Sequence, residues 1–264
     1  MSLAEAVFLG LLQGLTEFLP VSSSGHLVIF QHLFGISQPG VTFEVLVHFG
    51  TMLSIITVFW GDLLALFKGL ASSREQKKLF LLLLTGTIAT GFVGIVLGSF
   101  FKGLFEQPVV IGFMLLVTGF IVYMIARMSK YTEGKTVSQM SLMDGIITGI
   151  FQGAAIIPGI SRSGSTILAA LFRGVKRQTA IKYSFLLALP AIAGATFLEA
   201  LEIIRMGEVP TYLSLYILSA VLAFLSGILA IKIFIRLLNE GKFHYFSCYC
   251  WLAGTFTIVY FLLT

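Results

Sequence analysis

Charge is what this chain has least of. Of its 264 residues, 17 are Lys or Arg and 12 are Asp or Glu, 11% in all. A soluble domain carries about 25%, and no soluble surface can be built from so little. Hydrophobic residues make up 57% of the chain and mean hydropathy is +0.99, the composition of an integral membrane protein. Cysteine is nearly absent. Cys248 and Cys250 lie in one apolar segment and point to different helix faces, which argues against a disulfide or a metal site and leaves them as small packing residues. Ten-residue alternating segments are missing, which excludes a membrane β-barrel. Net charge is only +5 and most basic residues sit in short loops, so a nucleic-acid reading has little support. The N-terminus does not read as a cleavable signal peptide, because Glu5 stands where a basic region belongs and no small-residue cleavage site follows. Linkers and low-complexity tracts are also lacking.

What is present is a set of long apolar runs. A bilayer crossing takes about 20 apolar residues as a helix, and six runs qualify, roughly 43–62, 79–99, 108–128, 183–204, 212–236 and 245–264. Two more stretches, 3–34 and 142–172, are broken at their middles by Pro20 or Pro158 and a Ser/Gly cluster. Each half is too short to cross, so each stretch is expected to be a re-entrant helix–loop–helix hairpin. Basic residues cluster in four loops: Lys68, Arg74, Lys77 and Lys78; Arg127, Lys130 and Lys135; Arg173, Lys176, Arg177 and Lys182; Lys232, Arg236 and Lys242. The positive-inside tendency assigns all four to the cytoplasm. The second hairpin then returns to the cytoplasmic side, and the first enters from outside. The expected fold is an all-α integral membrane protein with an inverted-topology repeat of six transmembrane helices plus two re-entrant hairpins. Residues 1–264 form a single transmembrane domain, repeat one about 1–139 and repeat two about 140–264. Such a plan puts a site near the bilayer midplane.

The two broken stretches are copies. Gln13, Ser22, Ser24 and Gly25 align with Gln152, Ser161, Ser163 and Gly164 at a constant offset of 139 residues, without a gap. Their chemistry differs. The first copy holds Glu17 and His26 where the second has Ile156 and Ser165, and the second holds Arg162 where the first has Ser23. A carboxylate inside an apolar helix costs several kcal/mol unless it is paired, solvated or bound to a cation. Glu17 is thus a candidate metal ligand or general base, with Gln13 one turn earlier. His26, following a Ser/Gly loop, is suited to proton transfer. Arg162 is the one basic residue within an apolar stretch. Its guanidinium is a fork of donors for a carboxylate or phosphate, and a salt bridge to Glu17 is the alternative use. Ser22, Ser24, Gly25, Ser161, Ser163, Gly164 and Thr166 add hydroxyls and amides, and Gly159 lets the second loop turn, making an anion site suited to phosphate. Glu44 and His48 share a helix face at the start of the next span, either supporting the site or lying at the interface. His32 and His244 read as interfacial.

The run from Gln13 to His26, Gln-Gly-Leu-Thr-Glu-Phe-Leu-Pro-Val-Ser-Ser-Ser-Gly-His, resembles the first signature of the undecaprenyl pyrophosphate phosphatase family, the bacitracin-resistance type. Pro158-Gly-Ile-Ser-Arg-Ser-Gly-Ser-Thr166 resembles its second signature at every fixed position. Thr42-Phe-Glu-Val and Ser184-Phe-Leu-Leu-Ala-Leu-Pro190 are similar to further family segments, so the likeness covers nearly the whole chain. It implies a hydrolase that removes the terminal phosphate of a C55 polyprenyl pyrophosphate, recycling the lipid carrier for peptidoglycan synthesis. It implies a divalent cation such as Mg2+ or Ca2+, with Glu17 and Gln13 as the expected metal ligands. It implies a bacterial cytoplasmic (inner) membrane location with the site facing the periplasmic side. It also implies that bacitracin competes for the substrate rather than binding the protein. Carried over by position, Glu17, Ser23, His26 and Arg162 are catalytic, with Ser161, Ser163 and Thr166 holding pyrophosphate. Gln13 departs from the pattern, standing where some members have Glu. Attack by Ser23 and direct attack by water both stay open, as does a homodimer.

Two other readings compete. An inverted repeat with a polar midplane site also serves secondary transporters, and lipid movement without phosphate release is what such a protein would do. A type-2 phosphatidic acid phosphatase shares the Ser24-Gly25-His26 fragment, but its Lys-x6-Arg-Pro element is missing.

Overall fold

The computed structural model describes residues 1–36, 41–102, 107–128, 133–206, 211–240 and 242–263. Lys130 lies outside them. The first broken stretch forms α1 (Leu3–Phe18) and α2 (Ser23–Leu33), followed by α3 (Val41–Val58), α4 (Trp60–Gly69), α5 (Arg74–Lys102) and α6 (Pro108–Met128). The second forms α7 (Leu142–Ala154) and α8 (Arg162–Phe172), followed by α9 (Arg177–Met206), α10 (Leu213–Asn239) and α11 (His244–Leu263). No strand occurs among the described residues beyond a single bridge between Lys135 and Val175.

Local chemistry sets the helix ends, and it repeats. Ser2 and Glu5 form a capping box on α1, and Ser141 and Asp144 form one on α7, 139 residues on. In each box the side chains satisfy amides that have no partner inside the helix. Ser22 caps α2 by accepting from the Gly25 amide at 3.4 Å, and Ser161 caps α8 by accepting from the Gly164 amide at 3.1 Å. All four helix starts therefore keep the 139-residue spacing. Helix α1 stops at Leu19, whose extended backbone (φ −69°, ψ 145°) is what a following proline requires.

The two halves of the chain exchange partners. Helix α1 packs chiefly on α10, and α7 on α5, so each hairpin lies against a span from the other half. Lipid tails are as apolar as leucine, so helices in a bilayer associate through small residues and interhelical hydrogen bonds. A Cβ on Gly10 would stand 2.6 Å from the Ser219 carbonyl oxygen, and one on Gly149 would stand 2.1 Å from that of Gly86. Hydroxyls stitch the same seams: Ser219 donates to the Ala6 carbonyl at 2.8 Å and Thr90 to the Gly149 carbonyl at 3.0 Å. Helices α6 and α11 meet the same way, with Gly112 against Gly254.

Five helices are long and apolar enough to cross a membrane, or six if α3 and α4 count as one bent span, among the described residues. The chain is a multi-pass helical membrane protein. The expected straight span at 43–62 is instead broken at Phe59, where α3 and α4 meet at 72°. Phe59 is buried and stacks on Phe185 at 5.3 Å, which anchors the chain in the core at that point. Asp62, one turn into α4, pairs with Lys182. The other spans and both broken stretches form helices close to the expected bounds.

Gly149→Ala should destabilise the protein by about 1–3 kcal/mol, because the added methyl meets backbone that cannot move aside. Gly91→Ala, with nothing within 4 Å of its Cβ, should be neutral or stabilising by up to about 1 kcal/mol. Thermal unfolding of both variants in detergent checks the contrast.

Candidate functional site

The site forms where the two loops meet. A Cβ on Gly25 would sit 3.0 Å from the Cα of Gly159, so the start of α2 approaches the second loop where Gly25 carries no side chain. Gly159 has φ +92°, a conformation that side chains other than glycine's resist. Around this contact, the end of α1 carries Gln13 and Glu17, the start of α2 carries Ser23, and the start of α8 carries Arg162.

Glu17 is the hub. Its carboxylate accepts from Gln13 Nε2 at 2.9 Å, from the Ser23 hydroxyl and from Arg162 Nη2. His48 Nε2 stands 3.7 Å away. The carboxylate is buried, and Arg162 Nη1 is buried without a partner. A buried ion pair repays its desolvation only with good geometry and further hydrogen bonds. Glu17 has these from Gln13 and Ser23. Arg162 keeps unspent donors at the heart of the site.

A cavity of about 400 Å³ opens here. Of the residues expected from sequence, Glu17, Ser22, Ser23, Ser24, Ser161 and Arg162 line it. The others stand behind. Gln13 braces Glu17. The Gly25 and Gly164 amides are spent on the helix caps. Ser163 Oγ lies 3.2 Å from Ser161 Oγ, and the Thr166 hydroxyl pairs with Ser184, tying α8 to α9. His26 is buried, with Nδ1 2.7 Å from the Ser22 carbonyl and Nε2 2.6 Å from the Tyr249 hydroxyl. It faces α11 rather than the cavity.

Polar lining residues also come from outside the two loops. Glu44 and His48 come from α3, and the His48 ring is oriented by Nδ1 at 2.7 Å from the Glu44 carbonyl. Their shared helix face was the available signal. Gln152, the counterpart of Gln13, donates to Thr90 Oγ1 at 3.2 Å and to the Leu187 carbonyl at 3.3 Å. Thr90 is one threonine in an apolar span, and nothing in the sequence singles it out. Aliphatic Val45, Ile156, Ile160 and Ile192 are among the apolar lining. The cavity therefore offers both a hydroxyl-rich surface carrying Arg162, Glu17 and Glu44 and an apolar one.

The family model "Bacitracin resistance protein BacA" matches residues 6–256. This chain belongs to the BacA family. It is similar to the undecaprenyl-diphosphatase of Halothermothrix orenii, 45% identical over 98% of both chains. It is similar to that of Syntrophotalea carbinolica, 43% identical over 96% of this chain and 97% of the other. It also aligns over the full length of both chains with that of Alkaliphilus metalliredigens, at 38% identity.

The donor set of this BacA-family chain bears on a divalent cation. Among the described residues, no group of three or more His, Cys, Asp or Glu gathers to hold a metal by itself. Glu17 and the buried Gln13 Oε1, which has no hydrogen-bond partner, are oxygen donors of the kind that hard cations take. Mg2+ commonly binds through one or two carboxylates together with substrate phosphates. The residues fit an ion shared with a phosphorylated ligand, and they do not fit an all-protein cage.

The Glu17–Arg162 pair should behave as one unit in stability. Glu17→Gln and Arg162→Met should each cost about 3 kcal/mol or more, because each strands a buried charge. The double variant should fall short of the sum by about 1–3 kcal/mol. Unfolding of the four proteins checks the coupling.

Proposed function

We propose that this protein is an undecaprenyl-diphosphatase, hydrolysing undecaprenyl pyrophosphate to undecaprenyl phosphate and inorganic phosphate. The observation that carries the reading is the junction of Ser23, Glu17 and Arg162, residues from two loops at one cavity. A nucleophile bonded to a base, beside a cation with unspent donors, is the arrangement that phosphoryl transfer asks for.

The terminal phosphate binds to Arg162 and to the Ser161 hydroxyl, and the helix starts at Ser23 and Arg162 direct unpaired amides at its charge. Ser23 Oγ attacks the terminal phosphorus as its proton passes to Glu17. The bond from phosphorus to the bridging oxygen breaks, and undecaprenyl phosphate leaves. Water then hydrolyses the phosphoserine and releases inorganic phosphate. Glu17 is favoured over His26 as proton acceptor because both ring nitrogens of His26 are engaged elsewhere. A divalent cation at Glu17 and Gln13 Oε1 would supply charge neutralisation for the diphosphate.

The membrane arrangement belongs to the same proposal. Two re-entrant hairpins of opposite orientation, in an inverted repeat, would bring their tips together from the two faces of the bacterial cytoplasmic membrane. The basic loops assign the first hairpin to the outer side, where the site would open. The partners of the site are thus the polyprenyl pyrophosphate and the bilayer. A transporter reading accounts for the cavity but leaves the bond between Ser23 and Glu17 without a task.

The test is phosphate release by purified protein from a C55 pyrophosphate in detergent. Wild type should release phosphate, and a chelator should suppress it. Ser23→Ala and Arg162→Ala should each lose at least about 100-fold in kcat. Lipid movement without phosphate release would replace this reading with transport.

A further inference from the structure

The α1–α2 turn holds a backbone conformation that it does not adopt without help. Ser22 has φ 69° and ψ 96°, the only positive φ at a non-glycine residue among those described. Such conformations persist where their surroundings over-determine them, and they cluster at functional sites. Ser22 directly precedes Ser23, so its dihedrals aim the hydroxyl that meets Glu17.

What holds Ser22 is His26. The Ser22 carbonyl accepts from the His26 amide at 3.2 Å and from His26 Nδ1 at 2.7 Å. A carbonyl only accepts, so Nδ1 carries a proton. In the neutral ring Nε2 is then an acceptor, and the Tyr249 hydroxyl donates to it at 2.6 Å. The two rings stack at 5.6 Å with 10° between their planes. The imidazole is gripped at both nitrogens. The neighbouring residue on α11 reaches the same turn, since Cys250 Sγ lies 3.6 Å from the Pro20 carbonyl. Helix α11 is itself seated on α6 through Gly112 and Gly254. The last helix of the chain thus clamps the first loop at two successive residues.

We infer that Tyr249 is a positioning residue for phosphoryl transfer: through His26 it holds the Ser22 turn so that Ser23 Oγ faces Glu17 and the cavity. The inference rests on the phosphatase reading above. Tyr249 does not line the cavity. Its loss should therefore misdirect the nucleophile while leaving the phosphate clamp at Arg162 intact.

Tyr249→Phe removes one hydroxyl and keeps the stacked ring. In the phosphate-release assay its kcat should fall about tenfold, with KM within about twofold of wild type. The same substitution in a His26→Asn background should add little, because the shorter side chain no longer reaches Tyr249. A wild-type kcat in Tyr249→Phe would overturn the inference. So would a loss of equal size in the His26→Asn background, which marks general damage to α11. Absence of phosphate release by the wild type would instead refute the phosphatase reading, which separates the two failures.

Discussion

The arrangement of the site depends on one contact, the buried ion pair between Glu17 and Arg162, residues 145 positions apart. Neither charge is tolerable alone at that depth. A carboxylate in an apolar helix needs a partner, and so does a guanidinium at the start of another. Their mutual need joins the loop of the first repeat to the loop of the second. The loops can approach that closely because Gly25 presents no side chain toward Gly159, which in turn leaves room for Ile111 and Met114 of α6.

The scaffold meets the same demand with different chemistry. Each hairpin rests on a span from the opposite half of the chain, along seams where glycines admit a carbonyl oxygen at close range. Ser219 and Thr90 donate their hydroxyls to backbone carbonyls across the seams, an acceptor that lipid could not supply. Exchange of partners between halves means that neither half buries its hairpin alone. The structure of the site and the structure of the fold are therefore joined at the same helices, α1 and α7.

Much of this was legible in the sequence, for identifiable reasons. Helix positions followed from apolar run length and from Pro20 and Pro158, because proline beside a Ser/Gly cluster stops a helix, whereas Pro190, with no such cluster, lies inside the continuous α9. The constant offset between the two loops extends to the helix caps at Ser2 and Ser141, which a search for chemistry alone passes over. Glu17 and Arg162 stood out because charge is so scarce that an isolated one in an apolar run has to be accounted for. The bend at Phe59 was not legible, since its cause is burial against Phe185, 126 positions later. Thr90 was equally silent, being one threonine in an apolar span.

The histidines mark the boundary between the two kinds of knowledge. The sequence by itself determined a helical membrane protein, two copied loops, and a carboxylate and a guanidinium held in different copies. Composition, run length and spacing are local properties, and they survive whatever the chain does at long range. Only the tertiary structure decided that His48 faces Glu17 across the cavity while His26 turns to Tyr249. Proximity in sequence to the Ser/Gly loop favoured His26 for the site. Which way a ring points is set by the helices packed around it, and those come from distant parts of the chain.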